Sequence, residues 1–331
     1  MKINPNEFGA LDAYLKELLG GDIRWRLIND SYSHCWAASI ECLGRRFFVK
    51  NVEPRAIGAA LNQTALATMI ANRITEYLLR LKLAGVITPE YHDVAVVELA
   101  DRSAVVVVAD DCGSDLALVL RESVRLNLDR QIKALITGIL AKSLAALSCD
   151  GLGIDPPASN WTMRPGSLDP IYVDLWPVQY RDGQTHLVGF PQPDDPALVE
   201  YSRKRYYTVT GVLRIARFHL LRISATLEPI FFECATDIFG GETVEAVFSE
   251  LPEVKVRNHL VAGHIHQARA SIMELDRWHV DDLREIALRI IPDQPDDLHR
   301  LFKLTQMDFQ IPDQERATRF EQAKNELVAL T

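Results

Sequence analysis

Lys50 closes the run RRFFVK, and an ammonium on a strand can pair with phosphate oxygens while a glutamate on the next helix holds it. Further on, the loop DPPASN runs from Asp155 to Asn160. Its aspartate can accept or orient the proton of an attacking hydroxyl, and an asparagine five positions later can help hold a metal. Asp174, in IYVDLWP, ends an apolar strand 19 positions after Asp155 and offers a second metal-binding carboxylate. Each piece alone has a blander reading. Lysines are mostly exposed, a Pro-rich loop favours Asp, Asn and Ser for turn geometry, and an aspartate often ends a strand at a turn. Their order is more telling than any one of them.

The elements that must position them follow from periodicity and punctuation. Residues up to about Leu19 form a short amphipathic helix that stops at Gly20-Gly21. DIRWRLIND and WAASIECLGRRFFVKNV then alternate as two or three strands, the last pair turning at Leu43-Gly44, with Pro54 ending the strand of Lys50. From Ala56 to Leu83 the pattern is helical, with Ile70, Ile74, Leu78 and Leu81 on one stripe. Two more strands, VAVVEL and SAVVVVA, flank the polar turn at residues 100–103. Beyond ADDCGSD the chain turns helical, and Ile132, Leu135, Ile136, Ile139, Leu140, Leu144 and Leu147 keep the rhythm of a buried helix face. DPPASN and a short hairpin, WTMRPGSLDPIYVDLWP, interrupt the helices, which resume after Glu200.

Five strands with one long helix after the third, then helices carrying Asp…Asn and a later Asp, resemble the protein-kinase-like superfamily. Within it the chain is similar to the aminoglycoside-phosphotransferase and choline-kinase group of small-molecule kinases. The resemblance covers roughly Asp22 to Pro177. It implies a bilobal α+β fold, with a nucleotide-binding lobe over residues 1–110 and a mainly helical lobe over 111–331 that carries the catalytic loop. It further implies ATP and Mg²⁺ as cofactors and a hydroxylated small molecule as acceptor. Asp155 would be catalytic, and Asn160 and Asp174 would hold the metal. Lys50 would meet the phosphates, braced by Glu76, the one acidic residue between Lys50 and Leu99 that lies well inside the helix. Ser31 and Ser33 of NDSYSHC would join backbone N–H groups around the phosphates. Asp110 and Cys112 would belong to the hinge that meets an adenine edge.

The sequence departs from the family at two places. Gly153 stands where a histidine usually precedes the catalytic aspartate, and the phosphate loop lacks glycines. These departures keep two other readings in view: a catalytically silent relative that binds a nucleotide or metabolite as a regulator or partner, and a transferase using another donor.

Bulk properties narrow the class. At 331 residues and 48% hydrophobic, the chain can build two packed lobes. A formal charge of -9 argues against a broad basic surface for nucleic acid. The five cysteines are scattered without a CxxC pair, which points to reduced thiols in the cytoplasm. The start has no apolar signal core, and no run approaches the roughly 18 apolar residues of a membrane span. His264 and His266 diverge on a helix, the run Arg203-Lys204-Arg205 suits a solvated helix face or, less simply, an acidic substrate, and Trp161, Trp176 and Tyr172 suit core. No motif after Glu200 names the acceptor or an oligomeric state.

Overall fold

The structure, a computed structural model, describes residues 5–29, 35–52, 63–99, 103–175, 180–182, 185–187, 196–249, 251–306 and 311–331. The chain divides into two compact units. Met1–Leu116, Ala145–Gly153 and Asn160–Gln192 make the first; Ala117–Leu144, Ile154–Ser159 and Pro193–Thr331 make the second.

The first unit opens with helix α1 (Pro5–Leu19) and strands β1 (Arg24–Asn29), β2 (Cys35–Cys42) and β3 (Arg45–Val52). Helix α2 (Gln63–Leu83) follows, then β4 (Tyr91–Glu98) and β5 (Ser103–Asp110). The five strands that the sequence predicts form one antiparallel sheet, in the order β1-β2-β3-β5-β4. Leu43 and Gly44 both take positive φ, 50° and 75°, the twist a two-residue hairpin needs between right-handed strands. The helical pattern expected from Ala56 is a helix from Gln63 onward, and residues 53–62 lie outside the described set.

Strand residues alternate between the two faces of the sheet, and each face has its own helix. On one face Phe47, Val49, Val106 and Val108 pack with Leu11 and Leu15 of α1. The other face takes α2, whose Ile70, Ile74, Tyr77 and Leu81 are fully buried. Tyr77 takes the place expected for Leu78, which is only half-buried. Its ring lies seven positions from Ile70, so it falls in line with the stripe. Its hydroxyl donates to the Gly153 carbonyl at 3.1 Å, and that partner is what allows a phenol to be buried here. A small sheet, β6 (Ser114–Asp115), β7 (Trp161–Met163) and β8 (Ile171–Tyr172), adds the predicted hairpin and one strand the sequence did not announce. Strands β9 (Tyr180–Asp182) and β10 (Thr185–Leu187) pair antiparallel.

The second unit is helical. It contains most of α3 (Leu116–Arg125) and α4 (Asp129–Leu147), then α5 (Pro196–Tyr207), α6 (Val209–Ile223), α7 (Leu227–Phe239) and α8 (Gly241–Phe248). It continues through α9 (Pro252–Val261), α10 (Ile265–Met273), α11 (Val280–Ile290), α12 (Pro295–Leu304) and α13 (Asp313–Leu330). Val256, Ile272, Leu283, Ile286, Leu301, Phe320 and Leu327 form the core shared by its last helices. No described helix is long and apolar enough to cross a membrane. Cys42, Cys112, Cys149 and Cys234 are free thiols.

Candidate active site

Lys50 lies on β3 between Ala37 of β2 and Val107 of β5, in the middle of the sheet. The period of two that buries Val49 against α1 turns Lys50 to the opposite face. There the ammonium meets Asp174, with Nζ 3.0 Å from Oδ1 and both side chains little exposed, 11% and 12%. Asn160 approaches from a single turn of 3-10 helix, Ala158–Asn160, and its Nδ2 donates to Asp174 Oδ2 at 3.3 Å.

The backbone explains why these groups converge. Trp161 and Tyr172 pair across β7 and β8 with their rings edge to face at 4.9 Å, and both are fully buried. Val173 N–H donates to the Asn160 carbonyl at 2.9 Å, and Tyr172 N–H to the Ile87 carbonyl at 2.8 Å. The residues just beyond each end of the hairpin pair, Asn160 and Asp174, therefore leave it together. An aromatic core, as the sequence predicts for Trp161 and Tyr172, fixes two polar groups.

Tyr91, at the start of β4, is pushed well above the usual phenol range, first by burial and then by Cys112 and the Asp174 carboxylate. Cys112 itself is raised by burial, with Arg164 pulling the other way through a hydrogen bond. Both groups are therefore uncharged at neutral pH.

The remaining expected residues are placed as follows. Glu76 is ion-paired on its own helix with Arg80 at 3.1 Å and Arg73 at 3.7 Å. At the end of β5, the Asp110 carboxylate holds His92 Nε2 at 2.8 Å and Arg45 at 3.1 Å. The Asp110 and Asp111 N–H groups donate to the carbonyls of Glu90 and Arg46. Cys112 is buried, and the next residue, Gly113, has φ +105°. A Cβ at Gly113 would stand 2.3 Å from the Met163 carbonyl oxygen, so only glycine lets this segment lie against β7. Asp155 is half-buried in the helical unit, where the preceding Ile154 N–H donates to the Tyr206 carbonyl at 3.0 Å. Ser31, Ser33 and Trp176 lie outside the described residues.

The helical unit holds a charge network that the sequence did not announce. Arg217 of α6 is 2% exposed and donates to Glu228 of α7 at 2.6 Å, Glu253 of α9 at 3.2 Å and Glu285 of α11 at 2.6 Å. Its guanidinium also lies over the rings of Phe232 and Phe248. Glu253, Glu285 and Asp282 bring carboxylate oxygens within 4.8 Å of one another, all buried. Arg217 and Arg214 already occupy that cluster, Arg214 pairing with Asp282, so it is an internal ion network and not a metal centre. Of the basic run on α5, Arg203 and Lys204 pair with Glu200 on the helix surface, as a solvated face would. Arg205 instead turns inward to Asp281 of α11 at 3.2 Å.

No family model matches this chain, and no curated protein matches it. Among 13 solved chains that match is WaaP in complex with acyl carrier protein. The two chains are 15% identical, over 75% of this chain and 100% of that one, with a TM-score of 0.34. At that TM-score the likeness carries no argument about function, and the geometry of the site must stand by itself.

Proposed function

We propose that the chain is an Mg-ATP-dependent phosphotransferase acting on a hydroxyl of a small molecule. The observation that supports this reading is the meeting of Lys50, Asp174 and Asn160. A carboxylate and an amide oxygen are hard donors of the kind that suits Mg²⁺, and an ammonium beside them suits the phosphates that accompany the metal. Asp174 and Asn160 would hold the ion, which supplies charge neutralisation on the transferred group. Lys50 would release Asp174 to that ion and turn to the phosphates. Asp155 would orient the acceptor hydroxyl and take its proton, with the bond forming from that oxygen to phosphorus and breaking to the leaving nucleotide.

A second reading is a silent relative that binds a nucleotide or metabolite without turnover. The pairing of Glu76 with Arg73 and Arg80 favours it, because that carboxylate is then engaged by cations of its own helix.

Calorimetry with a non-hydrolysable ATP analogue and Mg²⁺ separates the two from a fold without a nucleotide site. Wild type is expected to bind only with the metal, and Asp174→Ala to lose that binding while staying folded. A screen of hydroxylated metabolites for mass gain of one phosphate then tests turnover. Asp155→Asn should keep nucleotide affinity and lose about 10² to 10⁴ in rate. Asp174→Ala binding Mg-nucleotide as tightly as wild type would overturn the assignment.

A further inference from the structure

The segment that delivers Asp155 is held on both sides of it. Every residue from Leu152 to Ala158 is buried except Asp155, which is half-buried. On the far side, Pro156 and Pro157 fix their own φ at about −65°, and Pro156 also disfavours helical backbone at Asp155. On the near side, the Gly153–Ile154 peptide is bonded at both of its polar ends. Its carbonyl accepts from the Tyr77 hydroxyl at 3.1 Å, and its N–H donates to the Tyr206 carbonyl at 3.0 Å. A peptide unit is planar, so its C=O and N–H turn together. This plane cannot rotate without breaking a buried hydrogen bond. Gly153 has no side chain with which to brace itself, and glycine is otherwise the residue with the most backbone freedom.

Of the two partners, the Tyr206 carbonyl is main chain, which any residue there would supply. The other depends on one side-chain atom. Tyr77 lies on the fully buried stripe of α2 with Ile70, Ile74 and Leu81, so packing fixes its ring and the hydroxyl is presented to Gly153 at a set place. A phenylalanine would fill that stripe with nearly the same volume and no polar atom to bury. Burial therefore does not account for the hydroxyl; the bond to the Gly153 carbonyl does.

We infer that Tyr77 is a positioning residue for Asp155: by locking the Gly153–Ile154 peptide, its hydroxyl sets the direction in which the Asp155 carboxylate projects. What that carboxylate then does rests on the phosphotransferase reading above. A group that must meet an acceptor hydroxyl at hydrogen-bond distance loses rate steeply when it is displaced by about 1 Å.

The test removes a single oxygen. Tyr77→Phe keeps the ring, and thermal melting checks the fold. Two measurements need no substrate. The Ile154 amide should exchange with deuterium about fivefold faster than in wild type, while the amides of β5 change only as far as global stability does. With carbon-13 at the aspartate carboxyls, the Asp155 resonance, recognised by its loss in Asp155→Asn, should shift. That of Asp93, which Tyr14 holds, should stay in place. Phosphate release from Mg-ATP, with water as acceptor, reads the role of the lock. There kcat should fall about tenfold to 10² while KM for Mg-ATP is unchanged, a split that a general loss of stability does not produce. A 4-aminophenylalanine placed at 77 by stop-codon suppression restores a weaker donor on the same ring, and should fall between Tyr77→Phe and wild type in every measurement.

Ile154 exchange and an Asp155 resonance unchanged in Tyr77→Phe would overturn the inference, whatever the turnover. So would wild-type turnover in Tyr77→Phe where Asp155→Asn has lost it. Turnover that is equal in wild type and Asp155→Asn would overturn the phosphotransferase reading instead, and the exchange and carboxyl signals would still decide the part played by Tyr77.

Discussion

Lys50 and Asp174, 124 positions apart, meet at 3.0 Å, while Asn160 donates to the other oxygen of the same carboxylate. Two charges held this far out of water compensate each other only while both are present. In the proposed phosphotransferase, a cation admitted to Asp174 would set Lys50 free for an anion. The pair would then be both a structural tie and a store of the charges that phosphate chemistry needs.

Lys50→Met should destabilise the protein by about 3 kcal/mol, the lower end for breaking a buried pair, because the little-exposed Asp174 carboxylate then loses the ammonium it meets. The double variant Lys50→Met with Asp174→Leu should lose less than the sum of the two single changes. Urea unfolding of the four proteins measures this coupling. In ligand binding, Lys50→Met should weaken ATP far more than adenosine, and equal losses would place Lys50 outside the site.

Gly113→Ala should cost more than about 1 kcal/mol, since the new methyl group meets the Met163 carbonyl at 2.3 Å and the backbone holds φ +105°. Gly9→Ala, where nothing stands within 4 Å, is the control in the same thermal melts.

Glu285 is raised well above 4.5, first by burial and next by the Glu253 carboxylate, with Arg217 opposing. A carboxyl raised in the folded state holds its proton more tightly there than in the unfolded chain. Its contribution is therefore largest at acid pH and is lost as pH climbs from 4.5 through the raised value. Glu285→Gln, which mimics the protonated form, should flatten that limb of the stability profile. A profile unchanged by the substitution would show that Glu285 titrates normally.

His219 runs the other way, its value lowered from 6.5 to about 3. The folded chain favours the neutral ring, so this contribution is complete above 6.5 and is lost as pH falls towards 3. His219→Gln should lose less stability than wild type between those limits in chemical unfolding at stepped pH.

Much of the fold was legible because it is written locally. The alternation in β2 and β3, the turn at Leu43-Gly44 and the continuous valines of β5, buried on both faces, each follow from a few neighbouring residues. So did the order of Lys50, Asn160 and Asp174, which is a matter of spacing. The partners of those residues were not local. The sequence offered Glu76 as the carboxylate beside Lys50, since it sits mid-helix. Its described ion pairs are with Arg73 and Arg80, three and four positions away, which any helix of this sequence would place within reach. The described ion pair of Lys50 is with Asp174, delivered by a hairpin whose aromatic residues pack face to edge. The charge clusters of the helical unit were invisible for the same reason. Arg217 reaches Glu228, Glu253 and Glu285 across separations of 11, 36 and 68 residues, and Arg205 reaches Asp281 across 76. Periodicity tells which face of a helix is apolar, but a charge inside that face takes its partner from whichever helix packs against it, and only the packing decides that.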